Sequence, residues 1–455
     1  MRQMVVVVAI AIAVATPAAA GQSRGASGRT ARPARTKAAK RLARPPRARV
    51  AKKASQRDVY GTGKTLREKF GSVYLAGFES ASHINRHGVR INELKATQHD
   101  RLARQDYARL RKLGIRSARE SINWDRVDLG GGSYDFSQFD RFIAAGKEHG
   151  MTQIWDLFHY GYPDDVDLFS QDFVTRYADY CTAVARHLRP QLAPGQIPFF
   201  TPVNEISWFA YAGGDIQDMA PHQTGKGAAV KRQLIKAWIA GAEAIWKELP
   251  EAQMVAAEPL VHRAPKPGAS PEDVARIDHF NKKVVREAYD MLSGRVAPEL
   301  GGSPRHLGII GANYYPHMNQ SEDGGGFLDR NDPRRVPFED LLVDLHDAYP
   351  DHQIMVSEVM EDGKGRDGLA QELTRVKKTL AKRGVDDIVF TLYPIMRLHD
   401  WNQPSKWYPG GVWDHFKDSS RTVAGQPRRK RVKYRPLYDA LKESIREIDP
   451  ENATD

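Results

Sequence analysis

The chain has 455 residues, 41% of them hydrophobic, which is ample for a large core. Its formal charge of +12 sits in the first 57 residues, which hold 14 Lys/Arg and no Asp or Glu; the rest carries 54 basic against 56 acidic residues. The basicity thus belongs to a tail and says little about nucleic-acid binding by the near-neutral body, for which no nucleic-acid partner is expected, and the single cysteine, Cys181, excludes an internal disulfide.

In chain order, residues 1–20 read as a secretory signal peptide. Arg2 is a thin positive start, Val5 to Val14 is apolar, and Ala18-Ala19-Ala20 offers a cleavage site before Gly21. The apolar run is too short to span a bilayer. The expected location is secreted or periplasmic, and cytoplasmic if this segment is not a working signal. Residues 21–57 are rich in Arg, Ala, Pro and Lys and nearly lack large apolar side chains. Such a segment buries too little surface to offset its ordering entropy, so it reads as a disordered basic linker. Contact with anionic cell-surface polymers and a plain solvated spacer both fit it. Residues 58–455 form the expected single catalytic domain.

From Asp58 onward, short apolar runs alternate with helical patterns. Strands are expected over 73–78, 114–119, 151–158, 197–203, 253–258, 307–313, 353–357 and 387–392. They are continuously apolar, as strands buried on both faces are. Helices are expected over 98–113, 137–149, 171–189, 228–248, 272–293, 337–349, 368–383 and 435–447. Ser270-Pro271-Glu272-Asp273 is an N-terminal signal, Ser137 with Asp140 resembles a cap, and Gly114 and Gly150 follow helix ends. Cys181 falls on a helical stripe with Phe173, Tyr177, Val184 and Leu188 and reads as core. The Arg428 to Lys433 stretch reads as a solvated turn.

Eight strand–helix units predict an α/β fold, a (β/α)8 TIM barrel. An open doubly wound sheet wants a glycine-rich phosphate turn after its first strand, and none is present; the GTGKT run at Gly61 follows no strand. Barrel active sites lie at the C-terminal ends of the strands. Strand 4 ends in Asn204-Glu205 and strand 7 in Ser357-Glu358, placing two carboxylates on nearly opposite staves. That pairing suits glycosidic bond cleavage, in which one carboxyl protonates the leaving oxygen while the other acts at the anomeric carbon.

Several segments together resemble clan A glycoside hydrolases, closest to family 1, the β-glucosidase and β-galactosidase type. Arg119-Glu120-Ser121-Ile122-Asn123-Trp124 is similar to that family's R-F-S-I-S-W. Leu157 to Pro163 is similar to L-Y-H-W-D-L-P, and Thr201 to Glu205 to the T-x-N-E motif. Asn313-Tyr314-Tyr315 is similar to N-Y-Y, Ile354 to Glu358 to the nucleophile strand, and Asp400-Trp401 to the E-W pair. The resemblance covers roughly residues 70–410. It implies a retaining hydrolase of β-linked glycosides, with Glu205 as acid/base and Glu358 as nucleophile. Arg119 and Tyr315 would attend Glu358, Asn204 would hold the sugar 2-hydroxyl, His159 and Asp400 would bind hydroxyls, and Trp401 would stack on the ring. Asn313 joins this supporting set. His83 stands where the family has glutamine, Tyr393 where it has tryptophan, and Val359-Met360 where it has Asn-Gly. These departures mark an atypical member with an altered sugar-reading shell.

The expected partner is a carbohydrate, with no cofactor and no metal. His83 and His87, four apart, lack the third ligand a metal needs. Glu258, ending strand 5, is a rival carboxylate that matches no motif. Asp156 reads as structural, and Trp208 and Trp407 as candidate rim platforms. Loops 159–170, 206–227, 314–336 and 393–427 are the expected cleft walls. A transglycosylase using the same glutamates and an inactive carbohydrate-binding barrel stay open as alternatives.

Overall fold

The computed structural model describes residues 58–454. The signal and linker expected over 1–57 lie outside them. The eight expected strands form: β1 (Tyr74–Gly77), β2 (Ser117–Ser121), β3 (Thr152–Asp156), β4 (Phe199–Thr201), β5 (Gln253–Pro259), β6 (Ile309–Asn313), β7 (Ile354–Val359) and β8 (Phe390–Leu392). Each pairs in parallel with its sequence neighbour, and β8 closes on β1 through Tyr74 opposite Phe390. The chain is a closed (β/α)8 barrel. β2 starts three residues later than its apolar run, because Gly114 is still the left-handed cap of the preceding helix at φ 94°.

The outer ring is α1 (His99–Leu113), α2 (Ser137–His149), α3 (Gln171–Leu188), α4 (Gly227–Glu248), α5 (Pro271–Lys282), α6 (Phe338–Ala348), α7 (Leu369–Lys382) and α8 (Arg435–Ile448). Ser270 caps α5 as expected, its side chain accepting from the Asp273 N–H. The helix expected to 293 breaks after Lys282 and resumes at Glu287–Leu292. The expected cap at Ser137 is corrected: Phe136 is the N-cap residue, and the Asp135 carboxylate takes the Ser137 N–H at 2.9 Å. Cys181 is free and buried, as its stripe predicted. No helix among the described residues is long and apolar enough to cross a membrane.

Two apolar bodies hold the barrel. One fills the space between strands and helices. The other fills the barrel itself: Leu75, Ile154, Phe199, Val255, Ile309, Met355 and Val389 point inward and meet Leu66 and Phe70. Those last two lie on a short helix, Leu66–Phe70, that plugs the N-terminal end. Thr65 and Glu68 build its reciprocal capping box. The GTGKT run is therefore the lead-in to a plug.

A second departure lies near the C-terminus. Residues 413–433 form a long antiparallel hairpin, β9 (Trp413–Val423) and β10 (Gln426–Lys433), where a loop and a solvated turn were expected. It is anchored by Arg431, whose guanidinium reaches Asp106 on α1 at 2.8 Å.

Candidate active site

The strand ends deliver their polar residues to one cleft at the C-terminal mouth of the barrel. Its open volume is about 1080 Å³, and Glu205 and Glu358 both line it. Glu358 is 3% exposed and Glu205 9%. The pairing of β7 with β6 slips between Val356 and Glu358, an irregularity of the kind that re-aims a side chain near a site.

Glu358 meets a dense set of donors. Arg119 Nη1 donates to its Oε1 at 2.6 Å, and the Tyr315 hydroxyl donates to its Oε2 at 2.5 Å. Arg119 leaves β2 fully buried and is held from behind by Asp156 at 2.9 Å, while its Nη2 donates to Asn204 Oδ1 at 2.6 Å. One guanidinium thus fixes the carboxylate of β7, the amide after β4 and the acid of β3.

Glu205 has a different environment. Tyr160 donates its hydroxyl to Oε2 at 2.5 Å, and Asn313 Nδ2 donates to Oε1 at 2.9 Å. Asn204 Nδ2 donates in turn to the Tyr160 hydroxyl at 2.9 Å, and Ser357 Oγ donates to Asn313 Oδ1 at 2.6 Å. Burial, reinforced by the negative Glu358 carboxylate, pushes the Glu205 pKa well above the ordinary range; the bonds from Tyr160 and Asn313 only moderate it. Its backbone is left-handed at φ 46°, and Tyr160 at φ 69°. Each such non-glycine residue costs on the order of 1–2 kcal/mol, a strain that clusters at working sites.

His159 lies beside this pair. Its Nδ1–H donates to Asp156 Oδ2 at 3.2 Å, while Asn204 Nδ2 and the Tyr393 hydroxyl stand 3.4 and 3.3 Å from Nε2. Tyr393 packs against Gly77, where an added Cβ would collide with its ring. Asp400 and Trp401 also line the cleft. Asp400 Oδ1 accepts the N–H groups of Asn402 and Gln403, and Oδ2 accepts the Tyr408 hydroxyl at 2.5 Å. The Trp401 indole N–H is buried with no partner among the described residues, so it is free to donate to a ligand.

Of the expected site residues, Arg119, His159, Asn204, Glu205, Asn313, Tyr315, Glu358, Asp400 and Trp401 converge here. His83 does not line the cleft. It is buried behind Trp401 and Tyr160, edge-on to both rings, and burial pushes its pKa down to about 3. His87 is exposed. Glu258 is buried under the helix Ile206–Gly214, where its Oε2 accepts the Ser207 N–H at 3.0 Å. Trp208 reaches the cleft, but Trp407 stacks under the Arg429 guanidinium at 4.1 Å instead. The expected 206–227 wall contributes Trp208 alone, and the loop after β7, with Met360, Glu361 and Asp362, replaces it.

Sequence reasoning missed three participants. Tyr160 fixes Glu205, Asp156 orients both Arg119 and His159, and Glu79, just past β1, lines the cleft. His317, Glu361 and Asp362 bring ligand atoms within 4.8 Å of one another. Arg330 and His317 already meet the two Glu361 carboxylate oxygens at 2.5 and 3.0 Å, so both oxygens face a partner without an ion.

Solved structures place this architecture. The family 1 β-glucosidase from Thermotoga maritima superposes with a TM-score of 0.66 at 14% identity, covering 86% of this chain and 99% of that one. Its complex with castanospermine gives 0.65 over the same shares. The AHE enzyme from Alicyclobacillus herbarius gives 0.62 at 15% identity, over 85% and 99%. The fold is that of the family 1 β-glucosidases. No protein-family profile matches the sequence, and no curated protein matches it either. At such low identity the likeness to the β-glucosidase fold is one of backbone, and the chemistry rests on the side chains described above.

Proposed function

We propose that this chain is a retaining glycoside hydrolase that cleaves a β-linked glycoside by double displacement. The observation that carries the reading is the asymmetry between two carboxyls of one cleft. Glu358 faces a guanidinium at 2.6 Å, whereas Glu205 is a buried acid whose pKa is raised by burial and by Glu358. Two acids with separated environments are what acid and nucleophile roles require.

In the first step a Glu358 oxygen attacks the anomeric carbon as the bond to the aglycone oxygen breaks. The Glu205 proton passes to that oxygen, leaving a glycosyl ester and a Glu205 carboxylate. In the second step Glu205 takes a proton from water, whose oxygen attacks the same carbon and releases Glu358. Asn204, positioned by Arg119, holds the 2-hydroxyl; His159, Asp400 and Trp401 hold the remaining face of the sugar. Hydrogen bonds to the 2-hydroxyl tighten in the transition state and supply several kcal/mol. The export expected from residues 1–20 would place this activity outside the cytoplasm.

Azide rescue tests the assignment. Glu358→Ala is expected to lose at least about 10³-fold in turnover of an activated aryl β-glycoside, comparable to removing a nucleophile elsewhere. Azide should restore product as the α-glycosyl azide. Glu205→Ala with azide should yield the β-glycosyl azide. Unchanged turnover in either variant, or the opposite anomers, would remove the acid/base and nucleophile roles of these two glutamates.

A further inference from the structure

The cleft wall holds a carboxyl that the hydrolytic steps leave unused. Glu79 is 6% exposed and lines the cleft. Its Oε1 is fixed by the backbone N–H groups of Ser80 and Ala81 at 3.1 and 3.0 Å. Among the described residues no hydrogen bond reaches Oε2. Burial, with smaller contributions from Glu93 and Glu358, pushes its pKa up to about 8. A buried carboxyl satisfied on one oxygen and facing a cavity is a polar group that a ligand donor completes. His159 Nε2, at 3.8 Å from Oε1, ties its position to the hydroxyl-binding end of the cleft.

The charge of the wall decides what kind of donor fits. Glu79, Glu205, Glu358, Glu361, Asp362 and Asp400 all line the cleft, and among the described residues no lysine or arginine does. Arg119 is committed behind the wall to Glu358 and Asp156. With Glu205 held as an acid, Glu358 paired to Arg119 and Glu361 to Arg330, the lining carboxyls with no lysine or arginine beside them among the described residues are Glu79, Asp362 and Asp400, and that acidic excess disfavours anionic sugars and favours cationic ones. A neutral hydroxyl could fill Oε2, but it brings no charge to this wall. An ammonium brings the donor together with a positive charge that favours the ionised form of Glu79 against its burial, and charge-assisted bonds are about twice as strong as neutral ones.

We propose that Glu79 is a specificity-determining residue that reads a protonated amino group on the glycone, so that the substrate is the glycoside of an amino sugar carrying a free amine. The inference rests on the hydrolase reading for its sugar site.

Calorimetric titration of the intact protein tests it, with glucosamine and galactosamine set against glucose, galactose, N-acetylglucosamine and glucuronate. The wild type is expected to bind the free amines at least about 10-fold more tightly than the neutral hexoses, with glucuronate weakest. Acetylation removes the charge and should remove the preference. In Glu79→Gln, an isosteric change, the gap should close to within about 2-fold. Equal affinities in the wild type, a preference that survives in Glu79→Gln, or no sugar binding at all would overturn the proposal. The wild-type ranking decides even if the variant folds poorly. Binding and azide rescue separate the two readings. An amine preference that depends on Glu79 without turnover keeps this inference and sinks the hydrolase. Turnover of a neutral aryl glycoside with no amine preference does the reverse.

Discussion

Tyr160 shows how one side chain sets the working range of another. Its hydroxyl bonds the charged form of Glu205, so it lowers a pKa that burial and Glu358 raise. Removing it leaves the Asn313 bond as the remaining hydrogen bond from a side chain that opposes those two causes. Tyr160→Phe is therefore expected to move the alkaline limb of kcat/KM upward by about one pH unit, and to lower kcat about 10-fold, the scale of one hydrogen bond to a charged group. A pH–rate profile on an aryl glycoside checks both; an unmoved limb would mean that a different group sets it. Nothing in the Leu157 to Pro163 segment marks Tyr160 for this role, because the bond depends on its left-handed backbone, which sequence does not announce. Glu79 was more legible. The rule that selects Glu205 and Glu358, a polar residue ending an apolar run, selects Glu79 as well, but no motif vouches for it.

At the scale of elements, the strands were legible because burial on both faces leaves a continuous apolar run. The hairpin β9–β10 was not, because its outer faces are charged and exposed, so it carries no such run. What holds it is a buried network. His99 donates toward Asp106 at 3.0 Å and Glu120 at 2.9 Å, and Arg431 crosses from β10 to Asp106. Burial works against a charged His99, but Glu120 and Asp106 outweigh it and push its pKa up to about 9. Because the folded pKa lies above the ordinary 6.5, this contribution is full below pH 6.5 and is lost as pH rises through about 9. Unfolding free energy is expected to fall by on the order of 2–3 kcal/mol between about pH 6.5 and 9.5. His99→Gln should flatten that slope, as read by denaturant titrations at both pH values; an equal slope in the variant would contradict the assignment.

The whole molecule explains why distant residues could be read as one site. A closed barrel fixes eight strand ends around one mouth, so residues as far apart in the chain as Arg119 and Glu358 come within 2.6 Å. The plug at Leu66–Phe70 closes the other end, and this division leaves the apolar layer to stability and the mouth to chemistry. Loop geometry was the part that sequence left open. Asp400 is fixed by the turn that follows it and by Tyr408, and the loop after β7 takes a wall position expected of residues 206–227. The most direct test of the double-displacement account is proton NMR of the first-formed sugar during cleavage of an aryl β-glycoside. The β-anomer should appear first and then mutarotate. Initial release of the α-anomer would contradict attack by Glu358 and require water to act directly at the anomeric carbon.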